Sequence, residues 1–250
     1  MEANNKATYP IDIWSAKNTS ELVSKFLGPG KWQKSFYAAF PKVGIEARSR
    51  VDHFWWINLE TCNQMLMDSE FQHRVLCRVG NNCRLQFPNS VIADLSPFAS
   101  IHTLNLSGCY EIEDVSALGS VYNLNLLDCR ELKNVSALGG VHTLDLSRCF
   151  MIQDVSELGS VHTLNLSICL QINDVSALGG VQTLNLSSCS SIKDVSALGG
   201  VQTLNLSRCS GIKDVSALGG VQTLHLSSCS SIDDVSNLSG VHTLDLSYCS

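Results

Sequence analysis

Long apolar runs are missing from this 250-residue chain, and no stretch approaches the ~20 consecutive apolar residues that a membrane-crossing helix needs. The N-terminus, Met1-Glu2-Ala3-Asn4-Asn5-Lys6, lacks the basic and apolar regions of a secretory signal. Charged residues are sparse, 16% against 44% hydrophobic, which is too apolar a balance for a disordered chain and enough for a sizeable core. Basic residues are scarcest in the C-terminal part: residues 94–250 carry 6 Lys+Arg against 15 Asp+Glu, whereas residues 1–93 carry 11 against 8. Such a surplus of carboxylates fits phosphates poorly, so no nucleic-acid partner is expected. Aromatics are scarce there too, since all four Trp and six of the eight Phe precede residue 94. Two regions of different physical character are therefore joined. Catalytic motifs are also missing: there is no glycine-rich phosphate loop, no Gly-x-Ser-x-Gly and no His-Glu-x-x-His. No enzyme activity, cofactor or metal is expected; an enzyme hidden in the first region would need His53 or His73 beside a carboxylate in a pocket.

What the chain does have is a repeat. From Ile101 onward the sequence recurs with a 20-residue period and without an insertion, and the units beginning at Val181 and Val201 differ only by Ser188 to Arg208 and Ser191 to Gly211. Seven complete units run to Gly240, and an eighth stops after Cys249 and Ser250. Upstream, Ile92 to Phe98 falls in phase with Ile112 to Leu118 as a degenerate first half-repeat. Within one unit Leu124 and Leu126 alternate with Asn123 and Asn125, the pattern of a strand, while Leu132, Val135 and Leu138 step by three as in a tight turn or 3₁₀ segment. The return is too short for an α-helix, and Gly139-Gly140 turns the chain back. One unit cannot enclose its own apolar side chains, but stacked units can, each with about seven inward positions at roughly 1.5–3 kcal/mol per fully buried aliphatic. Parallel strands ~4.8 Å apart would make eight rungs span roughly 35–40 Å.

Leu-x-Leu-x-x-Cys, with Val or Ile three residues before the first Leu, resembles the leucine-rich repeat family. The run after Cys109, Cys-x-x-Ile-x-Asp, resembles the cysteine-containing subclass found behind F-box domains, while the Asp-Val-Ser-Ala-Leu tail resembles the compact repeats of internalin-like and phosphatase-regulator-like proteins. The resemblance implies an α/β solenoid with a parallel sheet on its concave face and short turns on its convex face, used to bind other proteins. Residues 81–250 are assigned to this solenoid and residues 1–80 to a helical, capping domain. Helices are expected at Leu22–Leu27, Trp32–Phe40, about Ile45 through Met67, and Glu70–Val79. Pro10, Ile13, Leu22, Phe26, Leu27 and Trp32 resemble an F-box arrangement. The alternatives are thus a plain helical cap or a segment that binds a ubiquitin-ligase adaptor subunit, with the repeats as substrate receptor.

Two ladders accompany the apolar one. Cys109, Cys129, Cys149, Cys169, Cys189, Cys209, Cys229 and Cys249 recur at the same step. Side chains stacked in parallel rarely reach disulfide geometry, and a straight ladder does not converge on a metal, so buried free thiols are expected. Unpaired thiols favour a reducing compartment, the cytoplasm or nucleus. Asn105, Asn165, Asn185 and Asn205 begin Asn-Leu-Ser sequons on tightly stacked strands where glycans would clash, which agrees with that placement. Asp94, Asp114, Asp154, Asp174, Asp194, Asp214 and Asp234 form the second ladder, with Asn134 in one place. Asn fills an N–H-accepting turn role easily and a calcium-ligand role poorly, so the ladder is read as structural.

The columns expected on the concave face are nearly uniform: Thr except Asn123, Asn or Asp except His225, and Ser except Leu127. His142 and His162 are neighbours in another column and are read as surface residues. Variation gathers at the strand's C-terminal corner, where large and apolar side chains fill the first four units and small polar ones the later units. A partner-binding edge is therefore expected at Tyr110, Leu127, Arg130, Arg148, Phe150, Met151, Ile168 and Leu170. Drift among duplicated units, or contact with the N-terminal region, would produce the same pattern. The chain stops on a strand with Val241, Leu244 and Leu246 uncovered, which is expected of a fragment, of an end that self-associates, or of a tolerated exposed rung.

Overall fold

The computed structural model describes residues 54–56, 84–86 and 94–249. The chain divides into two compact units, Met1–Val51 and Asp52–Ser250, and every described residue lies in the second.

Before the repeats, Phe54–Trp56 (β1) pairs in parallel with Arg84–Gln86 (β2), Trp55 opposite Leu85. The helix expected from Ile45 through Met67 is therefore broken by a strand. Three successive aromatic residues favour extended backbone, and that preference prevails over the apolar spacing that reads as helical. Arg84-Leu85-Gln86 also matches the strand pattern of Thr103-Leu104-Asn105, at just short of the full repeat period. The other expected helices, and the F-box-like Pro10, Ile13, Leu22, Phe26, Leu27 and Trp32, lie outside the described residues. No helix among the described residues is long and apolar enough to cross a membrane.

From Asp94 the chain winds as a coil of identical turns. Numbering each unit from position 1 (Ile101, Val121 and so on), positions 3–5 form a short strand, from β3 (Thr103–Asn105) to β10 (Thr243–Asp245). These make one eight-stranded parallel sheet in sequential order, and β2 lies beside β3. The register is a constant 20-residue offset, Leu104 opposite Leu124 at one end and Leu224 opposite Leu244 at the other. The ladder continues past the strands: the Leu106 N–H donates to the Asn125 carbonyl at 2.8 Å, and the Gly108 N–H to the Leu127 carbonyl at 2.8 Å. The inward positions 1, 4, 6, 9, 12, 15 and 18 are all buried in each of the six units from Ile101 to Leu218. That continuous filling is what an isolated unit could not achieve.

The return side is built from 3₁₀ turns, Ser116–Leu118 in the first unit and Ser136–Gly140 in the next. Each starts with a side-chain bond: the carboxylate or amide at position 14 accepts the position-16 Ser N–H, at 2.8 Å for Asp114, 3.0 Å for Asn134 and 2.9 Å for Asp194. Asp94 does the same for Ser96 in the degenerate half-repeat. At position 19 glycine is required for space. Gly119 has an ordinary φ of −61°, but a Cβ on it would lie 2.3 Å from the Ala137 carbonyl oxygen of the next unit. The same clash faces Gly139, Gly159, Gly179, Gly199 and Gly219, at 2.2–2.5 Å. The seventh unit, the last complete one, carries Ser239 there. Inward-type Val235 of the seventh unit and Leu244 of the eighth are 40% and 37% accessible.

Position 8 turns the chain off the sheet in the left-handed region. Its φ values run from 60° at Tyr248 to 74° at Gly108, and only the first unit uses glycine. Inter-unit hydrogen bonds impose the conformation, since the Ile168 N–H donates to the Ser187 carbonyl at 2.9 Å even though a β-branched residue suits this region least.

Candidate partner-binding surface

The cysteine ladder lies beneath the corner between strand and return, and it is bonded into the backbone. The Cys149 Sγ–H donates to the Leu126 carbonyl of the preceding unit at 3.2 Å, and the Cys129 N–H donates to that same oxygen at 3.1 Å. The pattern repeats from Cys129, at 3.5 Å to Leu106, through Cys249, at 3.0 Å to Leu226. Each position-6 carbonyl from Leu106 to Leu226 thus receives two donors, one from its own unit and one from the next. Cys109 through Cys229 are buried and Cys249 is half-buried, and Cys129 through Cys249 are free thiols. Burial pushes the Cys109 and Cys189 thiols up to about 11 and those of Cys149 and Cys209 up to about 12, so the protonated donor form persists at neutral pH. Among the described residues no group of three or more His, Cys, Asp or Glu is placed to hold a metal. Alkylation of the native protein near pH 8, followed by peptide mapping, is expected to label Cys249 well before any of Cys109 to Cys229. Equal labelling of Cys169 and Cys249 would contradict this arrangement.

The uniform concave columns have a structural cause. Each Asn or Asp at position 5 accepts the N–H two residues on: Asn105 from Ser107 at 2.9 Å, Asn125 from Leu127 at 2.9 Å, Asn185 from Ser187 at 3.0 Å. This Asx arrangement leads the chain into the left-handed corner. The Asn-x-Ser spacing at a strand end is the signal for it, in a column that otherwise reads as plain surface. His225 breaks the column, and its Nδ1 lies 3.9 Å from Oδ2 of Asp245 in the next unit. Asp245 also accepts the Ser247 hydroxyl and, at 3.0 Å, the Ser247 N–H. Ser, Asp and His therefore meet with the carboxylate in the middle. Nucleophile activation needs the imidazole on the hydroxyl, so this trio has the wrong order for acyl transfer.

Position 2 carries a feature that sequence reasoning missed. The rings of His102, Tyr122, His142 and His162 stack face to face, with centroids 4.7, 4.4 and 4.4 Å apart and interplanar angles of 21°, 11° and 13°. The Nδ1 atoms of His102 and His162 lie 3.2 Å from the neighbouring Thr103 and Thr163 hydroxyl oxygens. Beyond His162 the column turns to glutamine, with the Gln182 amide donating to Gln202 at 2.8 Å and Gln202 to Gln222 at 3.0 Å. Parallel imidazoles point their nitrogens side by side, so the column is a rigid wall and not a convergent ligand set.

The opposite edge holds the residues singled out from the sequence. Tyr110, Arg130, Phe150 and Leu170 occupy position 10 of successive units and so stand side by side. Tyr110 and Leu170 are 40% and 44% exposed; Phe150 and its neighbour Met151 are half-buried. The Arg130 guanidinium lies 4.8 Å above the Tyr110 ring and donates from Nε and Nη2 to the two Asp128 oxygens at 3.0 and 3.2 Å. Leu127 and Ile168 are half-buried, and Arg148 is exposed at the left-handed position. Leu127 is at position 7 and Arg148 and Ile168 at position 8, off the position-10 row and toward the concave floor. Both edges thus change character at the same place: rings and large side chains flank the first four units, glutamines and serines the next three.

A strand carrying Leu-x-Leu-x-x-Cys, a 3₁₀ return and an unbroken 20-residue parallel register settle the architecture. Residues 94–249 form a leucine-rich-repeat solenoid. No family model and no curated protein matches the chain. Among solved structures it is similar to an internalin (inlF) from Listeria monocytogenes, at 17% identity and a TM-score of 0.48 over 75% of this chain and 74% of that one. It is also similar to internalin C2 from the same organism, at 26% identity and a TM-score of 0.42 over 66% and 72%. The functional domain of InlJ from Listeria monocytogenes, which includes a cysteine ladder, matches at 18% identity and a TM-score of 0.41, over 64% of this chain and 42% of that one. At these scores the likenesses decide nothing about function, and the solenoid's own surface must carry that argument.

Proposed function

We propose that this solenoid is a non-catalytic scaffold that binds a partner protein through the corner edge of its first four units. The observation that carries the reading is uneven decoration on an even frame. Each of the six units from Ile101 to Gly220 buries the same inward set, yet exposed Tyr110 and Leu170 and half-buried Phe150 and Met151 cluster in four consecutive units, where Ser190, Ser210 and Ser230 serve the same position later. A frame that folds with serine there has no structural need of the apolar residues, and clustered exposed apolar surface marks interaction sites. Tyr, Arg and Met are also the types enriched where interfaces concentrate their energy. The unpaired buried thiols from Cys129 to Cys229 suit the reducing cytoplasm or nucleus. A ubiquitin-ligase adaptor as second partner rests on Pro10 through Trp32 alone.

Phe150→Ser combined with Leu170→Ser tests the edge, because serine is what the later units already carry. The expected result is a fold unchanged by circular dichroism and partner capture weakened at least about tenfold, the scale of losing two interface anchors. Undiminished capture with the same partners would remove the edge from the binding site.

A further inference from the structure

Resting on that reading, we propose that the edge receives an amphipathic helix of the partner, one whose apolar stripe is flanked by Lys or Arg. Two independent features of the surface converge on this occupant.

The first is charge. In the band formed by positions 10–14 of the first four units, six carboxylates (Glu111, Glu113, Asp114, Glu131, Asp154 and Asp174) face only two cationic side chains, Arg130 and Lys133. Arg130 is already committed: both oxygens of Asp128 accept its N–H groups and its plane covers Tyr110. Asp114, Asp154 and Asp174 each use Oδ1 for a Ser N–H in the 3₁₀ turn. Their second oxygens take no part in that bond. The apolar strip is therefore bordered by negative potential that a basic partner complements and an acidic one opposes.

The second is spacing. The strip runs along the solenoid axis and offers one side chain per unit, at the ~4.8 Å step of parallel strands. Neighbours at i, i+3 and i+4 on a helix are about 5–6 Å apart, close to that step, whereas same-face side chains of an extended peptide are about 6.6–6.8 Å apart. Four positions span about 15 Å, or about ten helical residues. The ring column cannot compete as the docking element, because its faces cover one another and only edges remain outward.

The test uses the full chain and fluorescein-labelled designed peptides, read by anisotropy. Each peptide has about 14 residues, or about four helical turns, enough to cover the four positions. One carries a single leucine stripe in a lysine background. A second has the same composition with the leucines scattered, and a third replaces lysine by glutamate. The striped lysine peptide is expected to bind at least about tenfold tighter than the scattered one, and the glutamate peptide not to bind. Phe150→Ser with Leu170→Ser should abolish the preference for the stripe. Glu111→Gln with Glu131→Gln should weaken binding several-fold at low salt, with the difference fading at high salt. Equal binding of striped and scattered peptides, or indifference to the serine variant, overturns the proposal. If the serine variant loses the native partner while the striped peptide neither binds nor displaces that partner, the edge remains the binding site and only this occupant is wrong.

Discussion

Gly179→Ala is expected to cost the solenoid about 3 kcal/mol or more, while Ser239→Ala, at the same position of the last complete unit, shifts stability by no more than about 0.5 kcal/mol. The two substitutions are compared on one geometric fact. A Cβ at position 179 would sit 2.4 Å from the Ala197 carbonyl oxygen, well inside contact distance, and the obstacle is backbone held in register above and below. Relief requires prising two units apart, which disturbs the sheet bonds and the 3₁₀ stack together. Ser239 already carries a Cβ, so Ser239→Ala adds no atom at that position. Repeat arrays lose cooperativity when one junction fails, so the readout is the full urea transition by circular dichroism and not a single fitted free energy. An unshifted transition for Gly179→Ala would mean that neighbouring units are not as close as the structure has them.

The division between what the sequence reveals and what it conceals follows the distance over which each residue acts. Leu124, Leu126, Cys129, Leu132, Val135 and Leu138 act on their own unit's interior, and their spacing alone places all of them inside. Asp114 and its column act two residues away, so the carboxylate-to-N–H role is legible, with Asn134 as the internal check. Residues whose role lies in the adjacent unit are misread or missed. Gly139-Gly140 looks like a conformational turn, yet position 19 needs glycine because a carbonyl of the next unit, that of Glu157 in this case, stands against it. His142 and His162 read as neighbouring surface residues, and nothing within one unit shows that their rings continue a face-to-face stack with His102 and Tyr122. The Sγ–H bond from each cysteine to the Leu carbonyl of the preceding unit, as from Cys169 to Leu146, is likewise invisible in a single repeat. The strand Phe54–Trp56 escapes for a different reason: outside the periodic region only local propensity remains, and aromatic residues serve helix and strand faces alike.

Acid is expected to unwind this protein through its convex turns, and replacing six aspartates by asparagine should make it acid-resistant. Asp114, Asp154, Asp174, Asp194, Asp214 and Asp234 all titrate below the ordinary aspartate range. For Asp114, Asp154, Asp174, Asp194 and Asp234 the largest cause is the Ser N–H two residues on, which bonds the ionised form; for Asp214 the Ser216 side chain leads and its N–H follows. A folded-state value below the unfolded one means that the ionised carboxylates contribute their stability in full above the unfolded aspartate range. That contribution is lost as pH falls through the lower folded values. Each group is fully exposed and individually weak, but six copies of one turn titrate over the same window. Their losses therefore accumulate in a structure whose units stand or fall with their neighbours. Proximity works the other way to a smaller extent, since Asp174 and Asp214 each raise the value of Asp194. Asn134 shows that an amide fills the turn without charge, accepting the Ser136 N–H at 3.0 Å. A variant with Asn at all six positions gives up the ionised contribution, so its neutral-pH transition should come somewhat earlier, while its loss of stability from pH 7 to 2, followed by circular dichroism, should be distinctly smaller than the parent's. If parent and variant unfold at the same pH, the acid-sensitive element lies elsewhere. Asp245 would then be examined first, since it retains its bonds from Ser247 and its attraction to His225.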